Sequence, residues 1–73
     1  MPSLFEYQEK RGDSMVTKII VFNKLANIEI QEFAERADVK LLFVGGVEKN
    51  VVVTRDVAQR LLKDFRNYME KHH

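Results

Sequence analysis

Several residue types that usually carry chemistry are scarce in this chain. It has no cysteine and no tryptophan, and it has one proline and three glycines in 73 residues. Without cysteine, neither a disulfide framework nor a thiolate metal site can form, which favours an intracellular, cytoplasmic protein. The longest apolar runs, such as residues 19–22, are far too short to span a bilayer, and no signal-peptide pattern precedes them. We therefore expect one small globular domain with no membrane contact.

Catalytic and phosphate-binding patterns are equally sparse. The only histidines are His72 and His73 at the end of the chain, where they are poorly placed to serve as a base for a nucleophile. Gly45 and Gly46 lack the spacing and the following Lys-Ser/Thr of a phosphate-binding loop, and they are typical of a turn. These features predict that the protein is not an enzyme and has no cofactor and no metal site.

The charge balance is close to neutral. The chain has 12 basic and 11 acidic residues, which gives a net charge of +1. A strongly basic protein would indicate a nucleic-acid partner from its charge alone, and this chain does not. Binding to phosphate would therefore need a local cationic patch.

Residues 54–71 predict one long amphipathic helix. Thr54 can cap its first turn, and Lys71 lies at the end where positive charge is favoured. The apolar side chains recur at the i, i+3, i+4, i+7 spacing of a single stripe. They are Val57, Ala58, Leu61, Leu62, Phe65, Tyr68 and Met69. The upstream residues should then form a small sheet that this helix covers.

Three upstream segments have strand character. Residues 15–22 are dense in β-branched and aromatic side chains and are apolar on both faces near their end, which predicts a central strand. Residues 39–44 predict a second strand and residues 51–54 the end of a third. Gly45-Gly46 supplies the tight connection between them. Residues 47–50 fit either the third strand or a longer loop.

Residues 28–37 are ambiguous. Ile28 and Ile30 alternate with polar residues, as in a strand, whereas Ile30, Phe33 and Ala37 fit a helical stripe. The helix-forming composition favours a helix. The expected fold is therefore α+β, with a small three-stranded or four-stranded sheet in the order β-α-β-β-α packed against the long C-terminal helix. The alternative is a β-β-β-β-α meander plus helix.

Residues 1–14 are predicted to be an arm outside the compact domain, which would span residues 15–73. Ser3 and Glu6 have capping-box spacing, so Ser3 to Lys10 could form about two helical turns, and a piece that short is marginal alone. The arm is therefore expected to be flexible or conditionally helical. Its aromatic content is high for a tail, which suggests that it anchors a partner.

The favoured hypothesis is a small non-enzymatic regulatory protein that acts by protein–protein contact. A chain of this size without site chemistry can act by occupying a surface on a larger protein or complex. Phage-encoded and accessory regulators of transcription have this scale, so RNA polymerase or another transcription component is a candidate partner. The predicted contacts are Leu4, Phe5, Tyr7 and Arg11 in the arm.

Two alternatives remain open. The first is a nucleic-acid-binding domain that uses the basic face of the C-terminal helix, formed by Arg55, Arg60, Lys63 and Arg66. In that case Lys18, Lys40 and Lys49 could contribute from the sheet, and an exposed Phe22 or Phe43 could stack on bases. The second alternative is a small structural or assembly subunit, including a homodimer, because so small a domain gains stability by associating.

Overall fold

The computed structural model describes residues 3–71, in which five strands are followed by one helix. The elements are β1 (Leu4–Arg11), β2 (Ser14–Val21), β3 (Leu25–Glu32), β4 (Ala37–Phe43), β5 (Glu48–Val53) and α1 (Arg55–Lys71), with a 3₁₀ turn (Phe22–Lys24) between β2 and β3. β1 and β2 form a two-stranded antiparallel sheet, and β3, β4 and β5 form a second antiparallel sheet in that order. The predicted α+β class is confirmed. His72 and His73 lie outside the described residues.

The helix predicted over residues 28–37 is wrong, because this stretch contains most of β3. Ile28 lies opposite Leu41 and Ile30 lies opposite Val39 in the ladder with β4. Cross-strand packing of these pairs outweighs the local helix-forming composition, which is only a weak preference. The order β-α-β-β-α is therefore not found. The alternative, a four-stranded meander followed by a helix, is closer to the observed fold, which has five strands in two sheets.

The short helix predicted over Ser3 to Lys10 is also wrong. The segment forms β1 and pairs with β2 along its whole length, from Leu4 opposite Val21 to Arg11 opposite Ser14. Phe5 and Tyr7 alternate with polar residues, and both are buried in the core. The loop between the strands contains Gly12 at a φ of 59°, a conformation that glycine adopts without strain. Burial of two aromatic side chains thus makes the predicted arm part of the packed domain.

The central strand is β4 rather than β2. Val39 and Leu41 of β4 are each only 1% exposed, and β4 pairs on both of its edges. In β2, Ile20 is buried but its neighbour Ile19 is 55% exposed. A strand with one face uncovered alternates in this way. The prediction that residues 15–22 form a strand is confirmed, and its placement at the centre of the sheet is wrong.

The C-terminal helix is confirmed and packs across the inner faces of the sheets. Ala58, Leu61 and Phe65 are its buried residues. The Phe22 ring lies 5.7 Å from that of Phe65, between ring centroids, and 5.5 Å from that of Tyr68. These apolar contacts hold α1 against the turn that links the two sheets. No helix within residues 3–71 is long and apolar enough to cross a membrane.

Polar contacts fix the first turns of α1. The backbone N–H of Val57 donates to Thr54 Oγ1 at 3.2 Å, which is the predicted cap. Glu32, at the end of β3, accepts from Arg55 Nη2 at 2.9 Å and also from the Gln59 side-chain amide. Because Glu32 and Arg55 are both partly exposed, we expect this pair to stabilise the fold by less than about 1 kcal/mol. Its main effect is to set where the helix starts relative to β3.

Two neighbouring residues of β1 provide a test of its place in the core. Phe5 is 5% exposed and Leu4 is 39% exposed. We expect Phe5→Ala to lower the free energy of unfolding by about 3 kcal/mol because it leaves a cavity, and Leu4→Ala to lower it by less than about 1 kcal/mol. Urea denaturation followed by circular dichroism measures both values. Equal effects, or a cooperative fold after deletion of residues 1–11, would show that β1 is a dispensable arm.

Candidate binding groove

The main candidate site is a groove between β2 and β5. Within residues 3–71, β2 pairs only with β1 and β5 only with β4, so each has a free edge. The helix makes its main contacts with β1, β3 and β4, and no helix residue of the described range lines the space between β2 and β5. Two adjoining depressions occur there, of about 210 and 300 Å³. Both are lined by Tyr7, Lys18, Lys49 and Val51, and together they form the β2–β5 groove.

The floor of the β2–β5 groove is apolar. Ile20 and Leu41 are buried beneath it, and Phe43 and Val51 are half-buried along it. These side chains occupy the core-facing positions of β2, β4 and β5, where the core is not covered by the helix. The groove is therefore lined by apolar residues at the margin of the hydrophobic core.

The rim of the groove is cationic. Its positively charged residues are Arg11, Lys18, Lys24 and Lys49, and its negatively charged residue is Glu9. Arg11 Nε lies 3.5 Å from Glu9 Oε1. In residues 3–71 no ion pair involves any of the three lysines. Since the whole chain carries a net charge of only +1, the surface outside the groove is acidic on balance.

Two of these lysines occupy inward-facing strand positions. Lys18 lies opposite Tyr7 in the β1–β2 ladder, and Lys49 lies opposite Leu41 in the β4–β5 ladder. At such positions the alkyl stem can rest on the apolar floor while the ammonium group reaches water. This arrangement places two lysines that have no ion pair within residues 3–71 in the same depression as the apolar residues of the floor.

Tyr7 is the aromatic residue common to both parts of the groove, and it is 7% exposed. Burial, and to a lesser extent the negative charge of Glu9, raises the pKa of its phenol above the ordinary value of 10.0. Its ring stacks on that of Phe5, with 6.3 Å between centroids. Tyr7 is therefore a neutral, fixed part of the groove floor.

The four residues predicted to form the protein-binding arm do not form one surface. Phe5 and Tyr7 are buried, so neither projects toward a partner as expected. Leu4 is partly exposed and lies on the outer face of the β1–β2 sheet, opposite Val21. Arg11 alone lines the groove. Alternation along β1 separates residues that a flexible arm could have presented together.

The predicted basic helix face is only partly available. Arg55 is paired with Glu32, and Arg60 Nε lies 3.4 Å from Asp56 Oδ2. Lys63 and Arg66 form no ion pair with any residue of the described range. Half of the predicted set is thus engaged with carboxylates of the same molecule.

The sequence contained one signal for the groove that its helix-centred interpretation missed. Lys18 lies between Val16 and Ile20 at the inward positions of β2, and Lys49 precedes Val51 and Val53 at the inward positions of β5. The two possible stacking residues also differ, because Phe22 is fully buried whereas Phe43 is half-buried in the groove.

No protein-family model, no curated protein and no solved structure matches this chain. Its function is therefore inferred from its own residues and geometry.

The raised pKa of Tyr7 predicts a specific pH dependence of stability. Below pH 10 the phenol is protonated in both states; above it, the unfolded chain loses the proton first, so the free energy of unfolding falls as pH rises. We expect Tyr7→Phe to make this fall less steep above about pH 10. Urea denaturation at each pH measures the free energy of unfolding, and tyrosinate absorbance shows whether the Tyr7 phenol is the group that titrates. An identical slope in both proteins would mean that the Tyr7 phenol is not desolvated.

Proposed function

We propose that the protein is a non-enzymatic binding module for single-stranded nucleic acid, which it holds in the β2–β5 groove. The observation that carries the proposal is the set of three unpaired lysines, Lys18, Lys24 and Lys49, around an apolar floor. Unpaired lysines can exchange their counterions for phosphates without first breaking an internal ion pair.

The apolar floor favours a single strand over a duplex. Phosphate contacts alone would need only a cationic surface, which duplex and single strand could both use. In a single strand the bases and sugars are free to meet apolar and aromatic side chains. Phe43 and Val51 offer such contacts in the depression that the lysines also line.

The groove is a better candidate than the helix face. On the helix, Arg55 and Arg60 are already paired with Glu32 and Asp56, so phosphate binding would compete with those contacts. Among the described residues that line the groove, Glu9 is the only acidic one; it is paired with Arg11 and lies toward the end away from Lys24. The local field along the groove is therefore the stronger attraction for an anionic chain.

Matched charge-neutralising variants distinguish the two surfaces. We expect Lys18→Gln with Lys49→Gln to weaken binding of a fluorescein-labelled oligothymidine about ten-fold at low salt. The slope of log affinity against log salt should also become shallower by about 1.4, because two phosphate contacts are lost. Fluorescence anisotropy from about 20 to 200 mM salt measures both quantities.

The control is Lys63→Gln with Arg66→Gln, which removes the same charge from the helix. It should change affinity by less than about two-fold, apart from the small effect of net charge. A larger loss in the helix variant than in the groove variant would assign binding to the helix face. Absence of salt-dependent binding by the unaltered protein would contradict the proposal altogether.

Protein–protein contact is the second candidate function, and one surface favours it. The outer face of the β1–β2 sheet carries Leu4, Met15, Ile19 and Val21, which are between 38% and 58% exposed. Apolar side chains grouped on one sheet face are typical of interaction surfaces. On this alternative the protein is a cytoplasmic regulator that docks on a larger complex such as the transcription machinery, or an assembly subunit that pairs with itself.

The outer face can be tested separately from the groove. We expect Leu4→Ser with Met15→Ser to abolish capture of a protein partner that survives nuclease treatment, because both side chains are exposed on that face and neither lines the groove. Lys18→Gln with Lys49→Gln should leave such capture unchanged. Pull-down with mass spectrometry measures both, and light scattering shows whether the partner is a second copy. Capture that both variants retain would exclude this face.

A further inference from the structure

The tip of the β4–β5 hairpin is unusually apolar for a turn. Val44 is 69% exposed and Val47 is 63% exposed, the two highest values among the large apolar residues of the described chain. Between them, Gly45 and Gly46 have φ angles of 98° and 89°, which glycine alone adopts readily. The turn therefore presents two valine side chains to solvent at one place.

The tip is held in position by backbone hydrogen bonds. The N–H of Phe43 donates to the carbonyl of Val47 at 2.8 Å, and the N–H of Gly46 donates to the carbonyl of Phe43 at 3.2 Å. The N–H of Val44 donates to the carbonyl of Lys24 at 2.9 Å. The last of these bonds ties the tip to the 3₁₀ turn, so the valines are fixed relative to the groove.

The same hydrogen bond places the tip at one end of the β2–β5 groove. Lys24 and Phe43 both line the groove, and both are direct neighbours of Val44 through the chain or through that bond. At the opposite end the groove is lined by Arg11 and Val52. A chain that lies along the lysines and leaves at the Lys24 end would meet the two valines next.

We propose that Val44 and Val47 pack against unpaired bases of the nucleic-acid strand whose phosphates lie in the β2–β5 groove. This inference rests on the proposed function. Valine has no hydrogen-bonding group, so the contact would accept any base that exposes its face. Bases in a duplex are stacked and paired and offer no such face. The tip would thus make the groove selective for unpaired strands.

The charge around the tip favours a nucleic acid over a lipid surface. Two valines would bury little apolar area in a bilayer, and stable anchoring requires more than that. The lysines that adjoin the tip line a concave groove rather than a flat surface. This shape matches a single polyanionic chain better than it matches a plane of headgroups.

The test uses a tip variant that carries both Val44→Ser and Val47→Ser. Its control is Met15→Ser, which also replaces a strongly exposed apolar residue but lies outside the groove. The probes are a 12-mer carrying one 2-aminopurine, used single-stranded and annealed to its complement. We expect the tip variant to bind the single strand about five-fold more weakly and the duplex no differently. The change in 2-aminopurine fluorescence on binding should be lost as well. The control should match the unaltered protein.

The outcomes separate the tip from the groove. If the unaltered protein binds the single strand and the tip variant binds it equally well with the same fluorescence change, the tip inference is wrong and the groove stands. If the unaltered protein binds neither probe at low salt, the proposed function and the tip inference both fail. Thermal unfolding of each variant confirms that the exposed substitutions leave the fold intact. The inference would also be overturned if the tip variant lost binding to anionic vesicles but bound the oligonucleotides as tightly as the unaltered protein does.

Discussion

The burial of Phe22 is the contact on which the rest of this architecture depends. No strand ladder joins the β1–β2 sheet to the β3–β4–β5 sheet, so apolar packing must hold them together. Phe22 lies in the 3₁₀ turn between the sheets, is fully buried, and packs its ring against Phe65 and Tyr68 of α1. Its N–H also donates to the carbonyl of Ser3 at 3.0 Å, at the start of β1. The helix therefore stabilises the junction of the two sheets as well as covering their inner faces.

One helix of this length can cover only one side of two sheets. It contacts β1, β3 and β4, and the salt bridge from Arg55 to Glu32 fixes its start on β3. No helix residue of the part of the chain that the structure describes lines the space between β2 and β5. In a small domain such an opening usually costs stability, because apolar surface and strand edges remain exposed. Here the opening is lined by Lys18, Lys24 and Lys49, which make it cationic.

The sequence predicts correctly the elements that local interactions determine, and it fails for the elements that depend on partners distant along the chain. The C-terminal helix was predicted because its apolar stripe repeats over 17 residues and its cap is local. The two short helices were wrong because their outcome is decided by distant partners. Ile30 packs opposite Val39, and Phe5 lies opposite Ile20. A short segment with mixed periodicity does not reveal such a partner, and pairing with it outweighs local propensity. The α+β class survived because it needs only the helix and the strand-rich remainder.

The groove could not be predicted because Lys18 and Lys49 belong to different sheets and come together only in the tertiary structure. What the sequence does show is that each lysine shares the inward face of its strand with apolar residues, Lys18 with Val16 and Ile20 and Lys49 with Val51 and Val53. For stability alone, an apolar residue would serve better at both positions, since it would extend the core and avoid placing charge over it. Local choices that conflict with the fold in this way tend to mark functional sites. The same reasoning applies to Val44 and Val47, whose exposure at a fixed turn does nothing for folding. A groove that binds a single strand would need both features. The lysines would contact the phosphates, and the exposed valines would contact the bases.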